Sequence, residues 1–383
     1  MDSDLIDLMM KWRHALHSCP ETAFEEVATA DLVAGVLRQY GFEVHGGIGR
    51  TGVVGTMTRS AGPAIGLRAD MDALPIAEAN SFAHRSQHEG KMHACGHDGH
   101  TAMLLGAAVA LSRDPDWRGT VNVIFQPAEE GPAGGGRMMV EDGLFERFAC
   151  DVVFGLHNWP GVPRGHFAIN DGPMMASFDT FEIIVDGKGS HAAMPEEGSD
   201  VLVCASQIVT ALQTIISRRI SPKESGVVSV TQIHGGEAWN VLPDRAVIRG
   251  TVRCFSSDVQ ERIRSSIGEV STGIARALGA NATLDYRYAY PATINNAAQA
   301  DLAAAAAEAT VGASNVRRGC APSMASEDFA FMLHAKPGAY IWMGVDEATP
   351  AAPLHNPHYD FNDAALAIGA TYWVNLVKLF CAR

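Results

Sequence analysis

Met92-His93-Ala94-Cys95-Gly96-His97-Asp98-Gly99-His100 places three imidazoles, one thiol and one carboxylate within nine residues. The two glycines allow the backbone to bend sharply between these side chains. An apolar run comes next at residues 101–111, which predicts a largely buried helix. The polar cluster therefore stands at a junction between a loop and a helix, and the apolar helix anchors it to the core. Because thiolate and imidazole together suit borderline transition metals, the stretch indicates a metal site.

The composition is that of a globular protein with room for two or three domains. The chain has 383 residues, of which 47% are apolar. Its formal net charge is −14 and it contains no basic run, so nucleic acid and anionic membranes are not expected as partners. We find no apolar run of the roughly 18 residues that a membrane span needs, and the N-terminus lacks the shape of a signal peptide. The seven cysteines are scattered and form no C-x-x-C pair, so we expect no disulfide framework and a cytoplasmic location.

Segments that predict strands alternate with segments that predict helices through most of the chain. The predicted strands cover residues 53–57, 64–69, 121–125, 152–156 and 339–344. This alternation predicts an α/β fold, an α/β/α layered domain with a mainly parallel sheet. Polar residues collect where the strands end, which is where such sheets hold their ligands. Farther along, Ser326 with Glu327 and Asp328 predicts the N-terminus of a helix.

The middle of the chain has a different pattern. Its elements are a strand at 178–185, a helix at 200–220, strands at 227–233 and 246–255, a helix at 259–278 and a strand at 283–290. The order βαββαβ is that of a ferredoxin-like α+β sandwich. We therefore predict a catalytic metal-binding domain made of residues 1–175 and 290–383, with residues 176–289 inserted as a separate module.

Further candidate ligands come after the predicted strands. Glu129 and Glu130 come after the strand at 121–125, His157 directly succeeds another strand, and His355 stands in a polar loop. Adjacent carboxylates at a strand end are unfavourable unless a cation or solvent absorbs their charge. Each residue also has an ordinary explanation, such as a solvated loop for the glutamates or a satisfied core histidine for His157. Their coincidence at the strand ends of one α/β domain favours a shared metal site.

An ordered set of motifs runs through nearly the whole chain. The motifs are Arg13-His14-Ala15-Leu16-His17 with Pro20-Glu21 and Phe24-Glu25-Glu26, Arg68-Ala69-Asp70-Met71-Asp72-Ala73-Leu74-Pro75, His93-Ala94-Cys95-Gly96-His97-Asp98-Gly99-His100, Gln126-Pro127-Ala128-Glu129-Glu130, Gly187-Lys188-Gly189-Ser190-His191-Ala192-Ala193, Asn240-Val241-Leu242-Pro243-Asp244, Ser326-Glu327-Asp328-Phe329 and His355-Asn356-Pro357. In these motifs the chain resembles the metal-dependent aminoacylase, hippurate hydrolase and carboxypeptidase family, in its amidohydrolase branch. That branch includes N-acetylamino-acid deacetylases and hydrolases of auxin–amino-acid conjugates.

The resemblance implies a centre of two divalent metal ions per subunit. Carried over position by position, the ligands would be Cys95, His97, Glu130, His157 and His355, with the Cys95 thiolate bridging the ions. Glu129 would be the general base, and Asp70 would orient a ligand histidine. Relatives in the wider family often have a ligand histidine where this chain has Arg68, which accounts for the need for Cys95 and His97 here. Cysteine and histidine favour zinc, while manganese, nickel and cobalt also suit such mixed sites.

The resemblance also gives the inserted module the role of a lid and dimerisation domain. His191, on a loop after a strand, would reach a neighbouring subunit's site and stabilise the oxyanion. Asn240 and Arg253 would hold the free carboxylate of the substrate, since an arginine fork binds a carboxylate bidentately. For Arg253, an ordinary surface position on a strand stays open as the alternative. The implied assembly is a homodimer or a higher homo-oligomer.

Together these residues imply hydrolysis of N-acyl-L-amino acids, such as N-acetyl, N-benzoyl or aryl-acetyl conjugates, to a carboxylic acid and a free amino acid. Two cations would lower the pKa of a water and polarise the amide carbonyl, and Glu129 would pass the proton to the leaving amine. Three alternatives stay open. They are nucleophilic attack by Cys95, a carboxypeptidase or dipeptidase with the same centre, and a catalytically silent relative that binds metal or conjugates.

Overall fold

The structure is a computed structural model that describes residues 1–131, 133–347 and 352–382. The helices are α1 (Ser3–Ser18), α2 (Val27–Gln39), α3 (His97–Arg113), α4 (Gly135–Glu141), α5 (Leu144–Arg147), α6 (Val201–Leu212), α7 (Thr214–Arg219), α8 (Ser257–Ala277), α9 (Ala297–Val311), α10 (Ala330–Ala335) and α11 (Leu366–Cys381). The strands are β1 (Glu43–Ile48), β2 (Gly52–Thr58), β3 (Ala64–Asp70), β4 (Thr120–Gln126), β5 (Val152–Pro163), β6 (Phe167–Ile169), β7 (Pro173–Met175), β8 (Phe178–Asp186), β9 (Ser190–His191), β10 (Gly226–Gly235), β11 (Val241–Leu242), β12 (Arg245–Cys254), β13 (Asn281–Tyr290), β14 (Thr293–Ile294), β15 (Val316–Arg318) and β16 (Gly338–Asp346).

The chain divides into two compact units. The first comprises Met1–Met174, Thr293–Pro322 and Asp328–Arg383, and the second comprises Met175–Ala292 and Ser323–Glu327. Each unit has its own hydrophobic core, which is characteristic of a domain.

The first unit is built on an eight-stranded sheet with the order β1-β2-β4-β3-β5-β16-β6-β15. The β3–β4, β3–β5, β5–β16 and β6–β15 pairs are parallel. The β1–β2, β2–β4 and β6–β16 pairs are antiparallel. Parallel pairs thus form the centre of the sheet, which confirms the predicted α/β fold with a large, mainly parallel sheet.

Side chains alternate across this sheet because successive strand residues point to opposite faces. On one face Leu67 and Phe154 pack into the core that also contains the buried residues of α1, α3, α9 and α11. On the other face Arg68 and Tyr340 contact the ring of Phe329, which directly precedes α10. Since α10 in turn packs on α4, helices cover both faces and give the α/β/α layers.

Helix α11 owes its apolar character to burial in the first unit. Residues Asp363–Cys381 are long and apolar enough to cross a membrane by length and composition, and 50% of the apolar window is buried. Tyr372, Trp373 and Leu376 lie in the core, where α11 packs on α3 and α9. From the sequence we expected no apolar segment long enough to span a membrane. Packing in the core accounts for the high hydropathy of Asp363–Cys381, which does have that length.

The second unit contains a four-stranded antiparallel sheet with the order β10-β12-β8-β13. Its main elements succeed one another as β8, α6, α7, β10, β12, α8 and β13, and the short strands β9 and β11 pair with each other. The helix predicted over residues 200–220 is two helices, because α6 ends at Leu212 and α7 begins at Thr214. Thr214, the first residue of α7, donates its hydroxyl to the carbonyl oxygen of Ala211 in α6.

Candidate metal centre

The predicted ligands of the first unit lie at the edge of the sheet where β3 and β4 end. Arg68 on β3 pairs in register with Gly155 on β5, so Asp70 and His157 lie side by side two residues farther along. The carboxyl ends of neighbouring parallel strands meet at one edge of a sheet, and ligands bind there in open α/β folds. The N-terminus of α3, which begins at His97, reaches the same edge.

Gly96 makes the close approach of α3 to β5 possible. Its φ is 88°, in the left-handed region that favours glycine. A Cβ at this position would stand 2.3 Å from Oδ1 of Asn158. No other residue type satisfies both conditions, so the glycine fixes how Cys95 and His97 enter the site.

The structure brings all five predicted ligand residues into one cluster. Ligand atoms of Cys95, His97 and Glu130 lie within 4.8 Å of one another. Nε2 of His157 is 3.5 Å from Sγ of Cys95. Nε2 of His355 is 2.8 Å from Oε1 of Glu130. Sulfur, nitrogen and carboxylate oxygen thus converge on one volume, which is a donor set for transition metals.

His355 enters this cluster from the solvent side. Its imidazole is 52% exposed and its φ of 63° lies in the left-handed region. Its backbone N–H donates to the carbonyl oxygen of Ala94 at 2.8 Å, which ties this loop to the residue before Cys95. The strained conformation therefore serves to hold the imidazole against Glu130.

The two buried histidines both present Nε2 to the cluster. Nδ1 of His97 faces the carbonyl oxygen and Oδ1 of Asp72, at 2.9 and 3.2 Å. Nδ1 of His157 is 2.6 Å from the carbonyl oxygen of Asn158 and donates to it. Among the residues that the structure describes, Nε2 of His97 is buried without a hydrogen-bond partner. Such an unpartnered ring nitrogen inside a set of ligand atoms fits a site where a metal ion would displace a proton.

Asp72 is the residue that sequence reasoning missed. Its Oδ1 faces Nδ1 of His97, and its Oδ2 accepts the backbone N–H of Glu130 at 3.0 Å. One carboxylate therefore sets the positions of two predicted ligands. The sequence did contain a signal for Asp72. It is a second carboxylate two residues after Asp70, just beyond the end of β3.

The contacts of Asp70 differ from the expected ones. Its Oδ1 accepts a 2.5 Å hydrogen bond from Nδ1 of His100, while its Oδ2 is 3.7 Å from Nε2 of His97, beyond hydrogen-bond distance. Nε2 of His100 accepts the backbone N–H of Asn158. Because both nitrogens of His100 are engaged, this histidine positions Asp70 and has no lone pair left for a metal.

Arg68 supplies a fixed positive charge behind Asp70. Its guanidinium is fully buried and donates to Asp70 at 2.7 Å, to Gln126 at 2.9 Å and to Asp328 at 3.2 Å. Asp328 also accepts the side-chain amide of Gln126 at 2.6 Å. The prediction of a helix N-terminus at Ser326 is therefore wrong, because α10 begins only at Ala330 and Asp328 serves this buried network.

The charges of the cluster favour a cation. Burial, together with the nearby Glu130 and Glu129 carboxylates, raises the pKa of the Cys95 thiol well above its usual range. Burial alone would lower the pKa of His97, but the Asp70 and Asp72 carboxylates raise it to about 10. A neutral thiol is a poor nucleophile, which argues against Cys95 as an attacking group. A cation placed among these groups would lower the pKa of the Cys95 thiol and convert it to a thiolate ligand.

Glu129 lies beside this cluster on the loop after β4. The residue is 7% exposed, and one of its carboxylate oxygens lies within 4.8 Å of a carboxylate oxygen of Asp328. The preceding Ala128 has a φ of 50° and donates its backbone N–H to Glu26 at 2.9 Å. This turn separates the side chains of Glu129 and Glu130, in keeping with the chain reversal that the sequence indicates here.

The second unit carries the other three candidates. His191 lies on β9, and its Nδ1 accepts the backbone N–H of Ala193 at 3.0 Å. Asn240 directly precedes β11, which pairs with β9. Arg253 on β12 is half-buried, and its guanidinium lies 4.0 Å above the ring centre of Phe178. Within the described chain Arg253 forms no ion pair, and burial lowers its pKa.

Comparison with known proteins finds relatives that match over nearly the whole length of this chain. The model of the peptidase family M20/M25/M40 matches residues 66–379. The hippurate hydrolase of Campylobacter jejuni is 42% identical over 374 residues, which cover 97% of this chain and 96% of that protein. The N-acetyl-L-cysteine deacetylase of Bacillus subtilis is 39% identical over 94% of this chain and 85% of that protein. The solved structure of the Bacillus subtilis YXEP protein, described as a dinuclear metal binding peptidase, is 33% identical and superimposes with a TM-score of 0.87, covering 100% of this chain and 99% of that one.

Proposed function

The chain belongs to the peptidase family M20/M25/M40 and is a hydrolase of amide bonds, and on this basis we propose that it cleaves N-acyl-L-amino acids to a carboxylic acid and a free amino acid. The supporting observation is the convergence of a thiol, three imidazoles and a carboxylate next to buried Glu129. Two of the relatives are named for N-acyl amino acids, a hippurate and an N-acetylcysteine. The proposed substrates are accordingly N-acetyl, N-benzoyl and aryl-acetyl amino acids.

We assign the metal site to five residues of the first unit. They are Cys95, His97, Glu130, His157 and His355. Two divalent cations held there would lower the pKa of a water and polarise the amide carbonyl. The thiol and the imidazoles favour zinc, and manganese, nickel or cobalt also suit this donor set. Burial keeps the pKa of His157 well below its usual range, so its imidazole is neutral, as a ligand must be.

Glu129 is the proposed general base. Its carboxylate is almost fully buried beside the cluster, where it can take a proton from water and deliver it to the leaving nitrogen. His191 is the proposed oxyanion donor. Because its Nδ1 accepts the backbone N–H of Ala193, the proton of a neutral His191 resides on Nε2, and that side chain is exposed.

Arg253 and Asn240 are the proposed partners of the substrate carboxylate. The guanidinium of Arg253 is already held over the ring of Phe178 and forms no ion pair in the described part of the chain. The Asp179 carboxylate acts on this guanidinium through its charge alone. The guanidinium fork can therefore still bind a substrate carboxylate through two parallel hydrogen bonds.

A substrate panel tests the reaction. The full-length protein loaded with zinc or manganese is expected to release amine from N-acetyl and N-benzoyl amino acids, and chelation is expected to abolish the release. Faster cleavage of unblocked dipeptides would instead favour a dipeptidase or carboxypeptidase. Binding of metal without release of amine from any member of the panel would favour a catalytically silent relative and refute the proposed function.

The neighbouring glutamates provide a matched pair of variants. Glu129→Gln is expected to bind metal like the wild type and to lose a factor on the order of 10²–10⁴ in kcat, since it lacks the base. Glu130→Gln is expected to lose metal, which elemental analysis after dialysis would measure. Full activity in Glu129→Gln would remove it as the base.

We also propose that the enzyme is a cytoplasmic homodimer or a higher homo-oligomer. All seven cysteines are free in the structure, as a reducing compartment would keep them. Sedimentation equilibrium of the full chain at several concentrations is the test, and a monomer at every concentration would contradict the assembly.

A further inference from the structure

A second concave site lies in the first unit, outside the ligand cluster. The cavity has a volume of about 570 Å³ and is formed where β5 and β16 run beside β6 and the edge strand β15. Its lining includes Trp159, Pro163, His166, Phe167, Arg317 and Trp342. Sites for small molecules are typically of this size, with an apolar wall and a few convergent polar groups.

Two stacked indoles form the inner wall of this cavity. The rings of Trp159 and Trp342 have centroids 4.1 Å apart and an angle of 13° between their planes. Trp159 also meets the imidazole of His157 edge-on at 6.1 Å. The indole pair therefore separates the cavity from the candidate metal centre, and its flat apolar surface suits a planar ring.

Three polar groups at the cavity have no hydrogen-bond or ion-pair partner among the described residues. Trp342 is 5% exposed, and its Nε1 is buried without a hydrogen-bond partner in the described chain. Nδ1 of His166 is unpaired in the same way. Arg317 is exposed and forms no ion pair with any described residue, whereas the adjacent Arg318 pairs with Asp301 at 2.7 Å. The two ring nitrogens are covered by protein atoms, whereas the guanidinium of Arg317 is exposed at an apolar cavity. An arginine without an ion pair at such a cavity favours an anionic ligand with acceptor atoms.

We propose that this cavity binds a planar aromatic carboxylate. The ring would lie against the indole wall, while the carboxylate would accept two parallel hydrogen bonds from the guanidinium of Arg317. None of these residues belongs to the candidate metal centre, so binding here requires neither metal nor hydrolysis. The aromatic acid released from an N-aroyl amino acid belongs to the same chemical class, which would make the cavity a place where the product of the proposed reaction binds.

Titration calorimetry with sodium benzoate tests this site. The full-length protein is first freed of metal with a chelator and dialysed, so that a carboxylate bound to metal cannot contribute. Benzoate is expected to bind, while benzyl alcohol, which lacks the charge, and acetate, which lacks the ring, bind at least about tenfold more weakly.

Two adjacent arginines supply the matched variants. Arg317→Gln is expected to weaken benzoate binding by about tenfold or more, because it removes a charge-assisted hydrogen bond. Arg318→Gln, which alters a residue that does not line the cavity, is expected to bind like the wild type.

Three results would overturn the proposal. They are absence of benzoate binding to the metal-free protein, equal affinity in Arg317→Gln and Arg318→Gln, and equal affinity for benzoate and benzyl alcohol. Because Arg317 is exposed, its variant tests the site without endangering the fold. A failure of these titrations would leave the amine-release panel unaffected, so the site and the hydrolytic function are tested separately.

Discussion

Asp72 controls the candidate metal centre although it is not itself one of the predicted ligands. Its carboxylate faces Nδ1 of His97 with one oxygen and accepts the backbone N–H of Glu130 with the other. The first contact fixes which nitrogen of His97 remains free, and the second fixes where the Glu130 carboxylate stands. Carboxylates placed behind metal ligands in this way raise metal affinity by orienting the ligands.

Asp72→Asn is therefore expected to weaken metal binding by about 10–100-fold. The amide can still accept from His97, but its NH₂ group cannot accept the N–H of Glu130. Competition with a chromophoric chelator would measure the loss. Asp142→Asn is the control, because Asp142 also accepts a backbone N–H, from Gly49, away from the cluster. Equal metal affinity in both variants would contradict this role of Asp72.

Arg253 gives a second prediction at this scale. Arg253→Ala is expected to raise KM for N-acyl amino acids more than it lowers kcat, since the guanidinium would bind the carboxylate of the substrate in the ground state and transition state alike. Arg249→Ala is the control on the same strand, where the arginine already pairs with Glu182. An unchanged KM in Arg253→Ala would return Arg253 to the ordinary surface position that the sequence leaves open.

Single residues were predictable where their chemistry alone is unusual, and not where a partner decides their role. A buried strand that ends in a histidine or a glutamate pair draws attention without any structure. The roles of His100 and Asp98 depend on their partners. Asp70 and Asn158 bond the two ring nitrogens of His100. His17 forms a hydrogen bond with the carboxylate of Asp98. Sequence spacing carries no information on such pairings, because the partners are fixed by the tertiary fold.

At the scale of elements, the turn that follows β4 is held by contacts from a distant segment of the chain. Ala128 has a φ of 50°, which is unfavourable for a residue with a Cβ. It is held by Glu26, whose carboxylate accepts the Ala128 N–H at 2.9 Å and the Thr51 hydroxyl at 2.6 Å. Gly135 also donates its N–H to the carbonyl oxygen of Ala128. The next residue after this turn is Glu129, so the segment that leads into α2 helps to position the proposed base.

Glu26→Ala is expected to lower kcat by about tenfold or more with little change in KM, because the unpaired Ala128 N–H lets the loop relax and displaces Glu129. Glu26→Gln should recover most of the rate, since its carbonyl oxygen can still accept that N–H. Glu25→Ala is the control, as Glu25 is exposed and pairs with Lys91. Equal rates in the two alanine variants would show that the loop holds its shape without Glu26.

Elements with strong periodicity were predictable, and their interruptions were not. The alternation of strands and helices predicted the central sheet, including β3, β4, β5 and β16. The break between α6 and α7 was missed, because the buried residues Ile208, Leu212 and Ile215 keep helical spacing across it. The start of α10 was misplaced, because Asp328 resembles a helix-capping acid in sequence. In the structure its carboxylate accepts hydrogen bonds from Arg68 and Gln126 instead.

Across the first unit as a whole, a buried ionic network joins segments from both ends of the chain. Arg13 on α1 is fully buried, and its guanidinium pairs with Asp363 at 2.8 Å and lies 3.6 Å from Asp98 on α3. His17 on the same helix bonds Asp98 at 2.8 Å and Glu78 at 3.2 Å. Removing the fully buried Asp98 would take a counter-charge from both Arg13 and His17, which costs more than the loss of a surface ion pair does. The network therefore links α1, α3 and the C-terminal segment into one unit behind the candidate metal centre.

This network predicts a specific pH dependence of stability. Burial alone would lower the pKa of His17, but the charge and hydrogen bond of Asp98, with Glu78, raise it from 6.5 to about 9. The folded protein then binds a proton that the unfolded chain releases, so the stabilisation is complete below pH 6.5 and is lost as the pH rises through about 9. The loss over that range is roughly 3 kcal/mol.

Thermal unfolding of the wild type and of His17→Gln should therefore show a difference in Tm that shrinks across this interval. His45→Gln is the control, because it alters an exposed pair with Glu43, and its Tm should differ little from that of the wild type at any pH. A difference for His17→Gln that stays constant from about pH 6 to about pH 9.5 would mean that His17 is not held in its charged form.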